Sequence, residues 1–149
     1  MKITFCMYQI ITGGIELVKS KNLQNNIIFL GTLSNPFIYV KNAIANILAS
    51  PSEGLPNTLI EAMILKTLNI SSNFPCASEV LLDGGIIFND HDQLAQILED
   101  ILNNKIDKNS LINNAYKNVD RFKKEIVKDQ ILELFEKNSK QKKEIKFEF

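Results

Sequence analysis

Short, continuously apolar runs that alternate with stretches of helical patterning constrain the fold of this chain more than any other feature. IIFLG at 27–31 is one such run, and ANILA at 45–49 is another. A strand without polar alternation is buried on both faces, as in a parallel sheet that helices cover from both sides. The alternation therefore predicts an α/β fold with a single parallel sheet and helices on both of its faces.

The predicted elements follow this Rossmann-like alternation along the chain. Strands are predicted at 2–11, 27–31, 45–49, 69–72 and 86–88. Helices are predicted at 15–21, 58–65, 78–82 and 92–102, after a turn at Gly13 and Gly14. A further helix should begin near Pro36, which suits a first turn, with Ser34 or Asn35 as its cap. From 110 onward only helical patterning remains, and the chain ends in a charged tail at 137–149.

Composition narrows the classes of function. The chain has 149 residues, of which 45% are hydrophobic and 23% charged, and its formal net charge is zero. That length suits one domain with a substantial core, and the charge balance gives no bias toward a polyanion. We therefore expect an ordinary globular domain without a nucleic-acid partner.

Cysteine, histidine and the lengths of the apolar runs exclude other classes. Cys6 and Cys76 are too few and too far apart for a disulfide framework or a zinc site, so both are predicted to be reduced thiols. His91 is predicted to lie in a surface turn, and no metal site is expected. No apolar run approaches the ~18 residues of a membrane span, and the N-terminus has no signal-peptide layout, so we expect a cytoplasmic chain.

The most informative motif is SPSEGLPNTLIEAMILK at 50–66. It is predicted to form a loop and a helix directly after the strand at 45–49, at the carboxyl edge of the sheet, where ligands bind in this architecture. Three backbone N–H groups at the start of the helix, those of Asn57, Thr58 and Leu59, are predicted to be free for a phosphate. Gly54 would let a ligand approach the backbone closely.

Two carboxylates accompany this phosphate site. Glu53 precedes the turn, and Glu61 lies about one helical turn inside the helix. An ionised carboxylate only accepts hydrogen bonds, so the vicinal hydroxyls of a sugar or a ribose suit it well. A nucleotide sugar, with a ribose on one side of a diphosphate and a hexose on the other, matches this arrangement.

The motif closely resembles the E-x7-E motif of the group 1 (family 4) glycosyltransferases, which lies in the C-terminal, donor-binding domain of their GT-B fold. Three flanking segments are similar to the family in the same order: IIFLGTLSNPFIYVKNAIANILAS, TLNISSNFPCASEVLLDGGIIF and HDQLAQILEDILNN. The resemblance covers roughly residues 13–104, with a looser match through the C-terminal helices. It implies a Rossmann-like nucleotide-sugar-binding domain at 1–136 whose first strand–helix unit is incomplete.

The resemblance also implies a reaction and a site. The family transfers a hexose from a nucleotide diphosphate sugar, with retention and without a metal or other cofactor, to a glycan or lipid acceptor; a UDP-sugar is our first expectation for the donor. Glu53 would orient the donor hexose and Glu61 would hold the ribose, while Glu79 matches a glutamate of less certain role. The remaining donor-binding positions would be Gly54, Leu55, Pro56, Asn57, Thr58 and Leu59.

The chain departs from the family at several points. No Arg and Lys pair for the diphosphate is found ahead of Ile27, and 149 residues do not accommodate the acceptor-binding domain. Lys66 stands where the family often has Gly, and Asn69 replaces an apolar residue. Lys66 must therefore avoid or tolerate a left-handed backbone, and Asn69 must find a hydrogen-bond partner. These departures resemble relaxed constraints.

Three functions remain open at this point. The chain could be a glycosyltransferase that works with a separate acceptor-domain chain, a non-catalytic module that binds a nucleotide sugar, or a truncated remnant. The lysines of the tail offer a peripheral contact with an anionic membrane, which would place the chain at its cytoplasmic face, although a solvated helix end explains them more simply. An apolar patch left by the missing domain would favour self-association.

Overall fold

The computed structural model describes residues 5–7 and 14–142, and side chains are described for residues 14–137. The strands are β1 (Phe5–Met7), β2 (Ile27–Phe29), β3 (Asn46–Leu48), β4 (Asn69–Ser72) and β5 (Gly85–Phe88). The helices are α1 (Gly14–Ser20), α2 (Phe37–Asn42), α3 (Asn57–Ile64), α4 (Pro75–Leu81), α5 (His91–Leu102), α6 (Lys108–Asn118) and α7 (Lys124–Lys142). A 3-10 turn, Val119–Phe122, joins α6 to α7.

All strand pairs of the described residues are parallel. β1 pairs with β2, and β3, β4 and β5 form a second ladder in that order. Helices connect the paired strands, as crossovers between parallel strands require. The predicted parallel α/β architecture is confirmed, and the described residues form it as two ladders.

One face of the three-stranded ladder packs under α3, α4 and α6. Leu48 and Ile87 point toward this face and contact a cluster of fully or nearly fully buried side chains. The buried members of the cluster are Leu59, Met63, Val80, Leu81 and Ala115. Because α3 supplies two of these residues, the helix that carries the motif is part of the core.

The other face packs against α5 and the first part of α6. The alternate strand residues Ile47, Ile70, Ile86 and Phe88 point this way and meet Ile97 and Ile101 of α5. Successive side chains of a strand face opposite sides, so each short strand serves both clusters. The prediction of helices on both faces is confirmed for this ladder.

The turn between α4 and β5 fixes where α6 lies. Leu82 has φ 48° and ψ −120°, and the N–H of Gly84 closes the turn on the Leu81 carbonyl at 2.8 Å. A Cβ atom at Gly84 would lie 2.5 Å from the Cα atom of Ala115. Only glycine therefore allows α6 to approach this turn so closely.

Several predicted boundaries are corrected. Helix α4 begins at Pro75 rather than at 78, because proline is well suited to the first helical position. Gly14 belongs to α1 rather than to a turn, and Asn35, not Ser34, accepts the N–H of Phe37 at 3.1 Å. Of the strand predicted at 2–11 the structure describes only β1, and Gly13 lies outside the described residues.

The C-terminal region is divided in a way that the helical patterning did not indicate. Lys123 has an extended backbone, with φ −63° and ψ 140°, and separates the 3-10 turn from α7. Helix α7 continues across the predicted boundary between the domain and the tail at 136/137, which stays a prediction. Among residues 5–7 and 14–142, none of the helices combines the length and the apolar character that crossing a bilayer takes.

Candidate functional site

The loop at 50–56 lies at the carboxyl edge of the three-stranded ladder, between β3 and α3. The N–H of Ser50 donates to Ser72 Oγ at 3.0 Å, and the Ser72 hydroxyl donates in turn to the Ser50 carbonyl. These bonds join the end of β3 to the end of β4. The start of the loop is thereby fixed to the sheet.

A second set of bonds joins the ends of β4 and β5. Asn73 Nδ2 donates to Asn89 Oδ1 at 2.8 Å, and the Asn73 N–H donates to the Phe88 carbonyl at 2.9 Å. The Asn89 N–H donates to Gln93 Oε1 at 2.7 Å. All three strand ends that border the site are thus held in register by short polar side chains.

The two glutamates of the motif remain available for a ligand. Glu53 is exposed in the loop, and Glu61 is half-buried in α3. In the part of the chain that the structure describes, neither carboxylate forms a hydrogen bond or an ion pair. Next to Glu53, a Cβ atom added at Gly54 would meet nothing within 4 Å, so the loop backbone is open to approach.

The start of α3 corrects the prediction of three free amides. The N–H of Asn57 donates to the Leu55 carbonyl at 2.9 Å, and that of Leu59 donates to the Pro56 carbonyl at 3.0 Å. Of the three predicted amides, only that of Thr58 has no hydrogen bond among the described residues. Pro56 is buried at the N-cap position of α3, and its side chain forms no capping hydrogen bond. Its role there is to set the backbone direction at the start of the helix.

A buried pair of asparagines holds the first turn of α3 against the sheet. Asn69 on β4 is fully buried, and its Nδ2 donates to the Leu59 carbonyl at 3.0 Å. Asn46 on β3 donates from Nδ2 to Asn69 Oδ1 at 2.8 Å and to the Thr58 carbonyl at 3.4 Å. Asn69 therefore has the partner that its burial requires, and the view of this position as a relaxed constraint is corrected.

The end of α3 is equally well defined. Lys66 adopts φ 57°, its N–H donates to Met63 at 3.2 Å, and the N–H of Thr67 donates to Ala62 at 2.9 Å, which is a Schellman motif. Lys66 Nζ lies 4.1 Å from the centroid of the Tyr116 ring. Of the two alternatives for Lys66, to avoid or to tolerate a left-handed backbone, the structure shows the second, and a cation–π contact accompanies it.

Two cavities flank the loop on the side of α7. The larger, of about 580 Å³, lies between Leu55, Ile60 and α7. The smaller, of about 430 Å³, brings Gly54 and Leu55 together with Cys76 and Glu79 of α4. Glu79 is exposed and Cys76 is half-buried with a free thiol, so the structure places both near the motif.

Arg121 is the one arginine of the sequence, and it lines the smaller cavity. No sequence motif had indicated that this residue lies near the loop. Its Nη2 donates to the carbonyls of Glu79, at 2.6 Å, and Val80, which ties the 3-10 turn to the end of α4. Burial lowers the pKa of the guanidinium below its ordinary value. Arg121 therefore binds helix carbonyls through Nη2, while its buried Nε has no hydrogen-bond partner among the described residues.

The other predicted residues lie away from the loop. His91 is the first residue of α5, and its Nε2 lies 3.2 Å from Asp92 Oδ1, with both side chains almost fully exposed. The side chain of Cys6 is outside the described part. Within the residues that the structure describes, no group of three or more His, Cys, Asp or Glu side chains could hold a metal ion.

The parallel strands, their helices and the polar loop at the carboxyl edge define a Rossmann-like α/β domain, and comparison with known proteins specifies the family. The model of the family described as "Glycosyl transferases group 1" matches residues 14–118. This match covers more than half of the chain. The chain belongs to the group 1 glycosyltransferases.

A curated relative and two solved structures are similar to this chain. A Campylobacter jejuni α-1,4-N-acetyl-D-galactosaminyltransferase is 31% identical over 121 residues, which cover 78% of this chain and 34% of that protein. TarM matches with a TM-score of 0.73 and 20% identity, over 89% of this chain and 28% of its own. The pneumococcal O-GlcNAc transferase GtfA matches with a TM-score of 0.63 and 19% identity, over 93% of this chain and 29% of its own.

These matches have two consequences. The fold is that of a GT-B glycosyltransferase domain, which confirms the predicted fold class. The chain spans 28–34% of the length of these three proteins, so it corresponds to part of such an enzyme.

Proposed function

We propose that this chain is the donor-binding half of a glycosyltransferase and that the loop at 50–56 with α3 binds a nucleotide diphosphate sugar. The observation that carries the proposal is the pair of unpartnered carboxylates, Glu53 and Glu61, on a loop and a helix that the sheet holds firmly. Unpaired acceptors beside an open backbone suit the hydroxyl groups of a sugar ligand. A UDP-sugar is the preferred donor, and GtfA was solved with UDP and GlcNAc.

Each residue of the motif has a distinct role in this proposal. Glu53 orients the hexose and Glu61 accepts hydrogen bonds from the ribose hydroxyls. The Thr58 N–H and the positive end of α3 face the diphosphate, and Gly54 leaves room for it. Leu55, Pro56, Asn57 and Leu59 form the framework of the loop and the first turn.

The proposed reaction is hexosyl transfer with retention of configuration and without a metal ion. Charge that develops on the leaving diphosphate needs stabilisation, which is commonly a large term in catalysis. Helix α3 supplies part of it, and the remainder is proposed to come from an acceptor-binding half. We propose the cytoplasmic face of a membrane as the site of action.

The acceptor is proposed to be a glycan or a lipid-linked glycan. The Campylobacter relative is named for a diphospho-undecaprenol-linked acceptor. That protein covers most of this chain at 31% identity, which favours the lipid-linked class.

Calorimetric titration with UDP, UDP-sugars and GDP-sugars tests donor binding. Glu61→Gln should weaken UDP and UDP-sugar alike, by about tenfold, because a hydrogen bond to a charged group contributes about 1.5–3 kcal/mol. Glu53→Gln should weaken only the UDP-sugar, since UDP has no hexose. Glu99→Gln, on an exposed position of α5, is the matched control. A folded sample that gives no heat at millimolar ligand would contradict donor binding.

A non-catalytic nucleotide-sugar-binding module is the second candidate. The start of α3 favours it, because only one of the three predicted amides, that of Thr58, remains free there to stabilise a leaving diphosphate. Sugar transfer measured after mixing with an acceptor-type chain would decide in favour of the enzyme. The buried Asn69 has a hydrogen-bond partner in Asn46, which counts against a truncated remnant whose sequence is no longer constrained.

A further inference from the structure

The larger cavity is an apolar groove that adjoins the proposed donor loop. Its walls come from two sources, the loop and α3 on one side and the 3-10 turn and α7 on the other. Leu55 and Ile60 form the first wall, and Phe122 and Val127 belong to the second. Its volume is about 580 Å³.

The groove is not filled by the chain's own side chains. Ile131 and Leu132 of α7 line it, yet they remain 47% and 50% exposed. Every described side chain of α7, at 124–137, is exposed. Exposed apolar side chains that line a groove beside a polar site can contact an apolar ligand or partner.

The charges around the groove restrict the occupant. Lys124 and Lys128, one helical turn apart, both line it, and no carboxylate does. Neither lysine forms an ion pair in the described part of the chain. A lysine can lay its apolar stem along a groove and keep its ammonium group at the rim. The matching ligand has an apolar chain and an anionic head group.

We propose that this groove binds a lipid phosphate, with its hydrocarbon chain against the apolar walls and its phosphate at Lys124 and Lys128. Leu55 belongs to the donor loop and also lines the groove, so a lipid-linked acceptor held here would lie beside the donor sugar. The assignment of the lipid as an acceptor rests on the proposed function, because it requires a donor sugar at the neighbouring loop. Binding of the lipid phosphate itself does not depend on donor binding.

The test uses the full chain and farnesyl diphosphate, a soluble probe with both chemical features, in calorimetric titration. Replacing both lysines, Lys124→Gln with Lys128→Gln, should weaken binding at least tenfold, and Lys117→Gln on α6 should leave it unchanged. Leu132→Asn should also weaken binding several-fold. Leu134→Asn, on the same helix but outside the groove, is its matched control.

Four results would overturn the proposal. Inorganic diphosphate that competes as well as farnesyl diphosphate would show a plain anion site. Displacement of the probe by UDP would place it in the donor site. A dimer in light scattering that excludes the probe would show that a second copy covers the groove. Failure of both variant sets to change the affinity would place the probe elsewhere.

Vesicle binding distinguishes a polyprenyl phosphate from a phospholipid head group as the ligand. UDP titration distinguishes failure of the donor-site proposal from failure of the groove proposal. Phosphatidylcholine vesicles that contain a polyprenyl phosphate should retain the chain more strongly than vesicles with phosphatidylglycerol at equal charge; equal retention would show a general anionic surface and contradict the groove. UDP titration of the same sample reports on the donor site. Loss of UDP binding with retained farnesyl diphosphate binding would refute the proposed function and leave this inference standing.

Discussion

Helices α3 and α7 border the same groove but are held in opposite ways. Helix α3 has eight residues, and three of them, Leu59, Ala62 and Met63, are completely buried. Helix α7 has 19 residues, and none of its described side chains is buried. The short helix is integrated into the core, whereas the long one lies on the surface.

This difference shows which part of the site the chain builds by itself. The first turn of α3 is bonded to β3 and β4 through Asn46 and Asn69, and its end is closed at Lys66. The framework of the proposed donor loop is therefore held without further contacts. The apolar face of α7 needs an additional partner or ligand to be buried, so the proposed lipid-phosphate groove is the part that depends on another molecule.

The largest expected effect compares a leucine from each helix. Leu59→Ala should lower the free energy of unfolding by about 3 kcal/mol, because it removes a fully buried side chain and leaves a cavity. Leu132→Ala, at a half-exposed position, should change it by less than about 1 kcal/mol. Urea unfolding measures both, and equal effects would show that α7 is packed as firmly as α3.

The second prediction concerns the asparagine pair. Asn46→Val should cost about 2 kcal/mol, because it leaves the buried Asn69 Oδ1 without a donor. The double variant, with Asn69→Val, should cost about 1 kcal/mol less than the sum of the single variants. Hydrogen exchange should also become faster in the first turn of α3. Strictly additive costs would show that the two residues do not act as a unit.

The sequence predicted the parallel α/β fold because strands such as β3 and β5 place apolar side chains on both faces of the sheet and therefore read as apolar runs. It also located the loop of Glu53 and the helix of Glu61, since a strand, a glycine-bearing loop and a helix follow one another there. It could not predict the partner of Asn69, because Asn46 is 23 residues away and only the register of β3 against β4 brings them together.

Other features were missed for different physical reasons. The number of free amides at the start of α3 was overestimated. The hydrogen bond from the Asn57 N–H to the Leu55 carbonyl depends on the local backbone of the loop, which no side-chain pattern encodes. The position of Arg121 depends on the break at Lys123, where helical patterning continues although the backbone becomes extended.

The third prediction concerns the end of α3. Lys66→Gly should raise the free energy of unfolding by about 0.5 kcal/mol. Relief of the left-handed backbone at φ 57° contributes about 1 kcal/mol, and loss of the contact with Tyr116 removes about 0.5 kcal/mol. Tyr116→Leu in the Lys66→Gly background should then have a smaller effect than in the wild type. A net loss of stability would mean that the cation–π contact outweighs the backbone strain.

The smallest effect is expected on α7 itself. Leu134→Ser should change the free energy of unfolding by less than about 0.5 kcal/mol, because Leu134 is 61% exposed. The same substitution should reduce any self-association that light scattering detects at high concentration, since it removes apolar surface that a second copy could bury. A stability loss as large as that of Leu59→Ala would show that α7 is a core element. The contrast between the two helices, a buried α3 that fixes the proposed donor loop and an exposed α7 that leaves the groove uncovered, would then be lost.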